Sequence, residues 1–226
     1  LNEILYNPVY HALCTGDSHF ANGTETVKFF DPEVSPYAGF PDNYVHGFDE
    51  LHALLPEGRR ILYAIPDPIQ PPLGWEIKAH IPGVQFVYPL DAVPQQPNLV
   101  PEPLNTSHVA EMIALTALTK PGPFDQRTIE FGHYHGIFAD GKLVAMTGQR
   151  LHPEPYTEIS AVCTHPDYLG RGYAAALLQN QLHLILSQGK QPFLHVRGDN
   201  DRAIAVYKRL GFSESGPMHF YFMKRK

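Results

Sequence analysis

Apolar and polar positions alternate most clearly in the second half of the chain. Thr157 to Thr164 reads Thr-Glu-Ile-Ser-Ala-Val-Cys-Thr, rich in β-branched and small side chains. This predicts a largely buried strand. Pro166 ends it, because proline has no N–H for a ladder and restricts the residue before it. Good helix formers run from Tyr173 to Gln179. Between strand and helix lies Leu169-Gly170-Arg171-Gly172-Tyr173-Ala174. Strand, glycine loop and helix start form the layout of an anion site. The first turn of a helix leaves backbone N–H groups unpaired, and glycines let a phosphate approach them closely.

The same patterning predicts the flanking elements. Asn7 to Leu13 reads as a short helix and Asp31 to Phe48 as mostly loop. Asp49 is placed to cap a helix over Glu50 to Leu55, stopped by Pro56 and Gly58. Arg60–Ile65, Trp75–Ala79 and Val84–Tyr88 read as strands, and Met218–Met223 as a closing one. Asn105 or Thr106 caps a helix with Val109, Met112, Ile113, Thr116 and Ala117 on its apolar face. Asp140-Gly141, between Phe131–Ala139 and Lys142–Leu151, is a hairpin signal. Phe193–Arg197 is a short strand, followed by a helix capped by Asn200 and closed by Gly211. The expected organisation is an N-terminal half over residues 1–88, a Pro-rich linker over 89–104 and a C-terminal domain over 105–226.

Composition narrows the function classes. The 226 residues suffice for one large or two small domains, and 43% apolar content is ample for a core. A net charge of −6 without a basic stripe argues against a nucleic-acid partner. No long apolar run predicts a membrane span, so no membrane partner is expected. No signal peptide is visible, and the two cysteines, Cys14 and Cys163, make no disulfide framework. The expected location is therefore a reducing cytoplasm.

Gly170, Gly172 and Ala175 fit the dinucleotide pattern G-x-G-x-x-G/A. However, His165-Pro166-Asp167-Tyr168-Leu169 separates them from the strand, and only about fifty residues follow, too few for the rest of a doubly wound sheet. The stretch instead resembles motif A of the GNAT superfamily of N-acetyltransferases. His165-Pro166-Asp167-Tyr168 and Gly170-Arg171-Gly172-Tyr173-Ala174 match that motif, while Leu169 replaces its usual Gln or Arg. Asn200-Asp201-Arg202-Ala203, Tyr207 and Gly211-Phe212 resemble the family's Asn-x-x-Ala-x-x-x-Tyr-x-x-x-Gly-Phe segment. The resemblance covers residues 105 to 224. It implies an α/β (α+β) fold with a mixed, V-splayed central sheet and flanking helices, preceded by a smaller, less regular half. That half resembles two-part members, including relatives of glycine N-acyltransferases.

The resemblance also implies chemistry. Acetyl-coenzyme A, or another acyl-coenzyme A, would be the co-substrate, and a small-molecule or peptide amine the acceptor. Backbone N–H groups of Leu169, Gly170, Arg171, Gly172, Tyr173 and Ala174 would cradle the pyrophosphate, aided by the helix dipole and the Arg171 charge. Val162, Cys163 and Thr164 would offer backbone groups to the pantetheine and the thioester carbonyl. Asn200 would bond the pantetheine arm, or serve as a plain helix cap. Glu158, with a pKa raised by its apolar strand, is the candidate general base, and by alternation it shares a face with Ser160, Val162 and Thr164. The alternative for Glu158 is a solvent-exposed carboxylate at a strand end, or one paired with a surface base. Tyr207 is the candidate acid for the departing thiolate, or else a core residue on one face with Ala203 and Ile204. Cys163 is discounted as a nucleophile because direct transfer needs none. His133 and His135 share a strand face, yet no Cys or carboxylate completes a metal site, so no metal is expected. The rival function is an acyl-coenzyme A-binding sensor or scaffold of the same fold.

Overall fold

The computed structural model describes residues 2–226. The chain opens with two short helices, α1 (Glu3–Tyr6) and α2 (Pro8–Cys14), whose caps Asn2 and Asn7 accept from the backbone N–H groups of Ile4 and Tyr10. Three short strands, β1 (Asn22–Gly23), β2 (Lys28–Phe29) and β3 (Ala38–Gly39), make a small sheet. Helix α3 (Gly47–Leu54) starts earlier than expected: His46 is its N-cap, and Asp49 lies in its first turn. There Asp49 still meets the positive end of the helix dipole.

The remaining strands form one eight-stranded sheet. They are β4 (Arg60–Ile65), β5 (Trp75–Val87), β6 (Glu102–Pro103), β7 (His135–Ala139), β8 (Lys142–Gln149), β9 (Tyr156–Thr164), β10 (Gln191–Arg197) and β11 (Ser213–Arg225). The order is β4-β11-β5-β10-β9-β8-β7-β6, and β9 with β10 is the parallel pair. Helix α4 (Val109–Thr119) precedes the β7–β8 hairpin, α5 (Tyr173–Ser187) follows β9, and α6 (Asp201–Leu210) follows β10. The hairpin turn has Asp140 at φ 50° and Gly141 at φ 73°, which suits the twist of the paired strands.

Three expectations change. The predicted strands Trp75–Ala79 and Val84–Tyr88 are one strand that runs through Pro82. The Pro82 carbonyl accepts from the Gly198 N–H, so its donor-less nitrogen faces the same side, where β10 has already ended at Arg197. No ladder bond is lost there. The apolar face of α4 is rotated: Met112, Leu115 and Thr116 are buried, while Ala117 is exposed. The boundary drawn at residue 88 falls inside a continuous sheet, since β11 from the second half lies between β4 and β5 from the first. Residues 89–104 do lack regular structure except for β6, which pairs with β7 at the sheet edge.

The parallel pair positions the site. Strands β9 and β10 pair only through Gln191–Tyr156, Pro192–Thr157 and Phe193–Glu158. Beyond those pairs β9 continues to Thr164 and β10 to Arg197 without partnering each other, and the sheet opens. Helices α5 and α6 pack over this region through Leu178, Leu182, Ile185 and Tyr207, against Ile159, Leu194 and Val196.

Candidate active site

A cleft of about 900 Å³ occupies the opening. Residues 159–164 of β9, the loop Leu169–Ala175, His195–Arg197 of β10 and Tyr207 of α6 line it. Tyr37, Leu62, Ile81, Phe220 and Phe222 close its other end. Of the residues expected from the sequence, the cleft brings together Val162, Cys163, Thr164, Leu169 through Ala174, Asn200 and Tyr207. Glu158 does not line it.

The loop has the geometry of an anion cradle. Gly170 (φ 78°) and Gly172 (φ 81°) are left-handed, and a Cβ built on either meets nothing within 4 Å. Open space, rather than a protein neighbour, therefore faces both glycines. Gly172 is the N-cap of α5 and supplies no side-chain cap, so the N–H groups of the first turn have no intrahelical acceptor. The Arg171 guanidinium lies over the Tyr168 ring at 4.7 Å. Leu169, where the motif has Gln or Arg, is exposed and lines the cleft.

Strand β9 is bulged where it borders the cleft. Its register against β8 shifts between Gly148–Ser160 and Met146–Cys163, and Ala161 has φ 53°. A non-glycine residue in that region is strained and marks a bulge that re-aims its neighbours. Val162 packs with Ile159 against α5 and α6, whereas Ala161 and Cys163 face the other core. The alternation that placed Val162 on Glu158's side thus breaks at Ala161. The Thr164 hydroxyl is buried with no hydrogen-bond partner among the described residues, as expected of a group that meets a ligand. Burial pushes the Cys163 thiol up to about 11, which keeps it un-ionised and inert.

Glu158 occupies a different environment from the one expected. It is fully buried, and both carboxylate oxygens are taken. Arg150 donates from Nε at 2.8 Å and from Nη2 at 2.6 Å, and His195 Nδ1 lies 2.7 Å from Oε1. Burial alone would raise its pKa; the Arg150 charge and hydrogen bonds, with the His195 contact, outweigh burial and hold it at about 2. The raised pKa expected for a base is therefore not present, because the strand that looks apolar in sequence is met by an arginine in space. Burial would by itself lower the Arg150 pKa, but Glu158 raises it overall. His195 Nε2 lies 3.0 Å from Gln85 Nε2, which also donates to the Leu5 carbonyl. This geometry assigns the Nδ1–H tautomer, donating to Glu158 and accepting from Gln85.

Strand register, which the sequence does not state, brings these partners in: the Arg150 N–H donates to the Glu158 carbonyl, continuing the β8–β9 register, and Phe193 pairs with Glu158 two residues before His195. Tyr207 is buried, and burial pushes its phenol up to about 12. Its ring meets Phe86 and Phe212 at 6.1 and 6.0 Å, so packing and cleft lining coexist. Asn200 caps α6 by accepting from the Ala203 N–H at 3.1 Å, and also reaches the cleft. His133 has φ 53° and lies outside β7, so it does not share a strand face with His135. No group of three or more His, Cys, Asp or Glu side chains suits a metal among the described residues. No helix among them is long and apolar enough to cross a membrane.

Comparison with known proteins agrees with this geometry. The model of the FR47-like protein family matches residues 134–222. N-alpha-acetyltransferase RimI of Mycobacterium tuberculosis is 35% identical over 94 residues, which are 40% of this chain and 58% of that protein. A mycothiol acetyltransferase of Saccharomonospora viridis is 36% identical over 83 residues, 33% of this chain and 27% of the relative. The chain thus spans little more than half the length of the first of these relatives and about a quarter of the second. A crystal structure from Novosphingobium aromaticivorans, assigned to acetyltransferases of the GNAT family, superimposes with a TM-score of 0.89 at 30% identity, covering 98% of each chain. With that identity sustained over almost the whole length, the chain belongs to the GNAT family.

Proposed function

We propose that the protein transfers an acyl group, acetyl in the first instance, from acyl-coenzyme A to a primary amine by direct attack. One observation carries this reading: the separation of β9 from β10 opens a cleft bounded by the glycine loop, the Ala161 bulge and Tyr207. Unpaired N–H groups at the start of α5 and the Arg171 charge suit the pyrophosphate. The bulged backbone of residues 160–164 suits the pantetheine amides and the polarised thioester carbonyl. The resemblance of the first half to two-part, glycine N-acyltransferase-like members belongs to the same proposal.

The amine nitrogen attacks the thioester carbon, a C–N bond forms, and the C–S bond breaks to release a thiolate. Burial pushes the Tyr207 phenol up to about 12, so it keeps its proton and meets the developing thiolate as a neutral O–H. Tyr207 therefore serves as a hydrogen-bond donor to the sulfur. Glu158, ionised and shared between Arg150 and His195, is a positioning residue that fixes both side chains at the cleft floor. The amine loses its proton to water.

A second reading, an acyl-coenzyme A sensor without turnover, is favoured by the lack of any Asp or Glu among the residues lining the cleft, which leaves no direct carboxylate base. Thiol release from acetyl-coenzyme A across an amine panel separates the two. Release that depends on amine supports transfer, whereas tight binding without release on any amine supports the sensor.

A further inference from the structure

The end of the cleft away from the glycine loop holds a cation that uses two of its five N–H groups. Arg150 is 9% exposed, and its Nε and Nη2 grip Glu158 side-on. A guanidinium carries five N–H groups in a planar fork. With the side-on edge filled, the end-on edge between Nη1 and Nη2 remains. Nη1 donates to no group among the described residues. It points towards the Pro121-Gly122-Pro123 turn, where a Cβ on Gly122 would lie 3.9 Å from it. The Tyr37 ring, 5.0 Å from the guanidinium carbon, holds the plane. Glu158 thus pre-orients an arginine edge of the shape that a second carboxylate matches in bidentate fashion.

The surroundings restrict what comes to this edge. Leu62, Ile81, Phe220 and Phe222 line the same end and offer an apolar seat. No Asp or Glu side chain lines the cleft, although the chain has 23 acidic residues and a net charge of −6. The lining cations are Lys120, Arg150, Arg171, Arg197, Arg202 and Arg209. Arg171 in the glycine loop, and Arg202 and Arg209 on α6, are placed for the phosphates of coenzyme A. Arg150 sits on β8's end beside Tyr37, away from that loop, and needs a different anion. An amine bearing a second positive charge would find no counter-ion here.

We infer that Arg150 is the acceptor-recognition residue, and that the acceptor is an amine that also carries a carboxylate, with an apolar side group: an apolar α-amino acid in its free-acid form. The inference rests on the acyl-transfer reading above and adds to it the class of acceptor.

The experiment uses matched probes: alanine, leucine and phenylalanine, each beside its primary amide. Binding to the coenzyme A-loaded protein is measured by calorimetry, and transfer by thiol release. The two readouts separate failure of this inference from failure of the transfer reading, because binding preference needs no turnover. At least one free acid should bind tenfold or more tighter than its amide, with the same bias in kcat/KM if transfer occurs. Arg150→Lys keeps a charge against Glu158 but has no second fork. It should erase the preference, lowering the acid-to-amide ratio of binding affinity, and of kcat/KM where transfer occurs, at least tenfold. A residue with a merely structural role would weaken acid and amide alike and leave that ratio in place. If Arg150→Lys does not fold, the paired removal Arg150→Met with Glu158→Gln takes its place. No pair favouring the acid, or a preference that survives loss of the guanidinium, overturns the inference.

Discussion

The two ends of the cleft are built by opposite means. The glycine-loop end, proposed for the phosphates, is backbone: Gly170, Gly172 and the first turn of α5, with open space against them and donors left unpaired. The opposite end, proposed for the acceptor, is side chain: Arg150 just past β8, Glu158 of β9 and His195 of β10, buried, with both others bonded to Glu158 and with Gln85 and Tyr37 behind them. The first end is made within one short stretch of chain and leaves its donors unpaired. The second is made from residues far apart and uses most of its hydrogen bonds on itself. Change at the first should therefore affect binding while leaving the fold, and change at the second should affect the fold as well as binding.

The sharpest break is Glu158→Ala. It leaves the Arg150 charge buried without its partner, and should cost about 3–5 kcal/mol of stability. Chemical denaturation is the check; a loss below about 1 kcal/mol would mean that water replaces the carboxylate and that the acceptor end is not self-bonded. Acid titrates the same contact. Glu158 has a folded pKa of about 2 against an ordinary value of 4.5. Its contribution is complete above pH 4.5 and is lost as pH falls through 2, a span worth about 3 kcal/mol. Urea midpoints between pH 5 and pH 3 should fall in the wild type and fall less in Glu158→Gln.

At the other end, Gly172→Asp places a negative side chain in the space that faces the loop. Aspartate tolerates left-handed backbone better than most residues, so the melting temperature should move little. Coenzyme A affinity should drop by about a hundredfold through repulsion and lost N–H contacts. Unchanged affinity in calorimetry would remove the phosphate assignment. The smallest effect belongs to Tyr207→Phe. It keeps the ring packing against Phe86 and Phe212 and removes one hydrogen bond to the leaving sulfur, so kcat should fall by about tenfold to a hundredfold with KM held. Equal kcat in single-turnover measurements would make Tyr207 a packing residue alone.

The same contrast explains what could be read from sequence. The loop, the Asn200 cap and the Asp140-Gly141 turn are local devices whose residue types state their geometry, and each is found where the pattern placed it. Glu158 was noticed, but its meaning lay in Arg150 across a hairpin and His195 on a parallel neighbour, and a single strand's composition does not contain its partners. The sequence splits β5 into two strands because the effect of a proline such as Pro82 depends on which edge faces a partner, not on the strand it interrupts. The face of α4 was misjudged because Leu115 was buried by strands packed beneath it. The Ala161 bulge leaves no mark in residue type, since alanine has no preference for a positive φ.

The interleaving of β11 between β4 and β5 has a consequence for synthesis. Strand β5 ends at Val87 and β11 begins at Ser213, about 125 residues later. At roughly 5–20 residues per second, that is roughly 6–25 s during which the edges of β4 and β5 stand open on the ribosome. Unpaired strand edges are templates for foreign strands. A nascent chain in that interval exposes an empty slot of its own register, and another copy's β11 fits it as well as the chain's own.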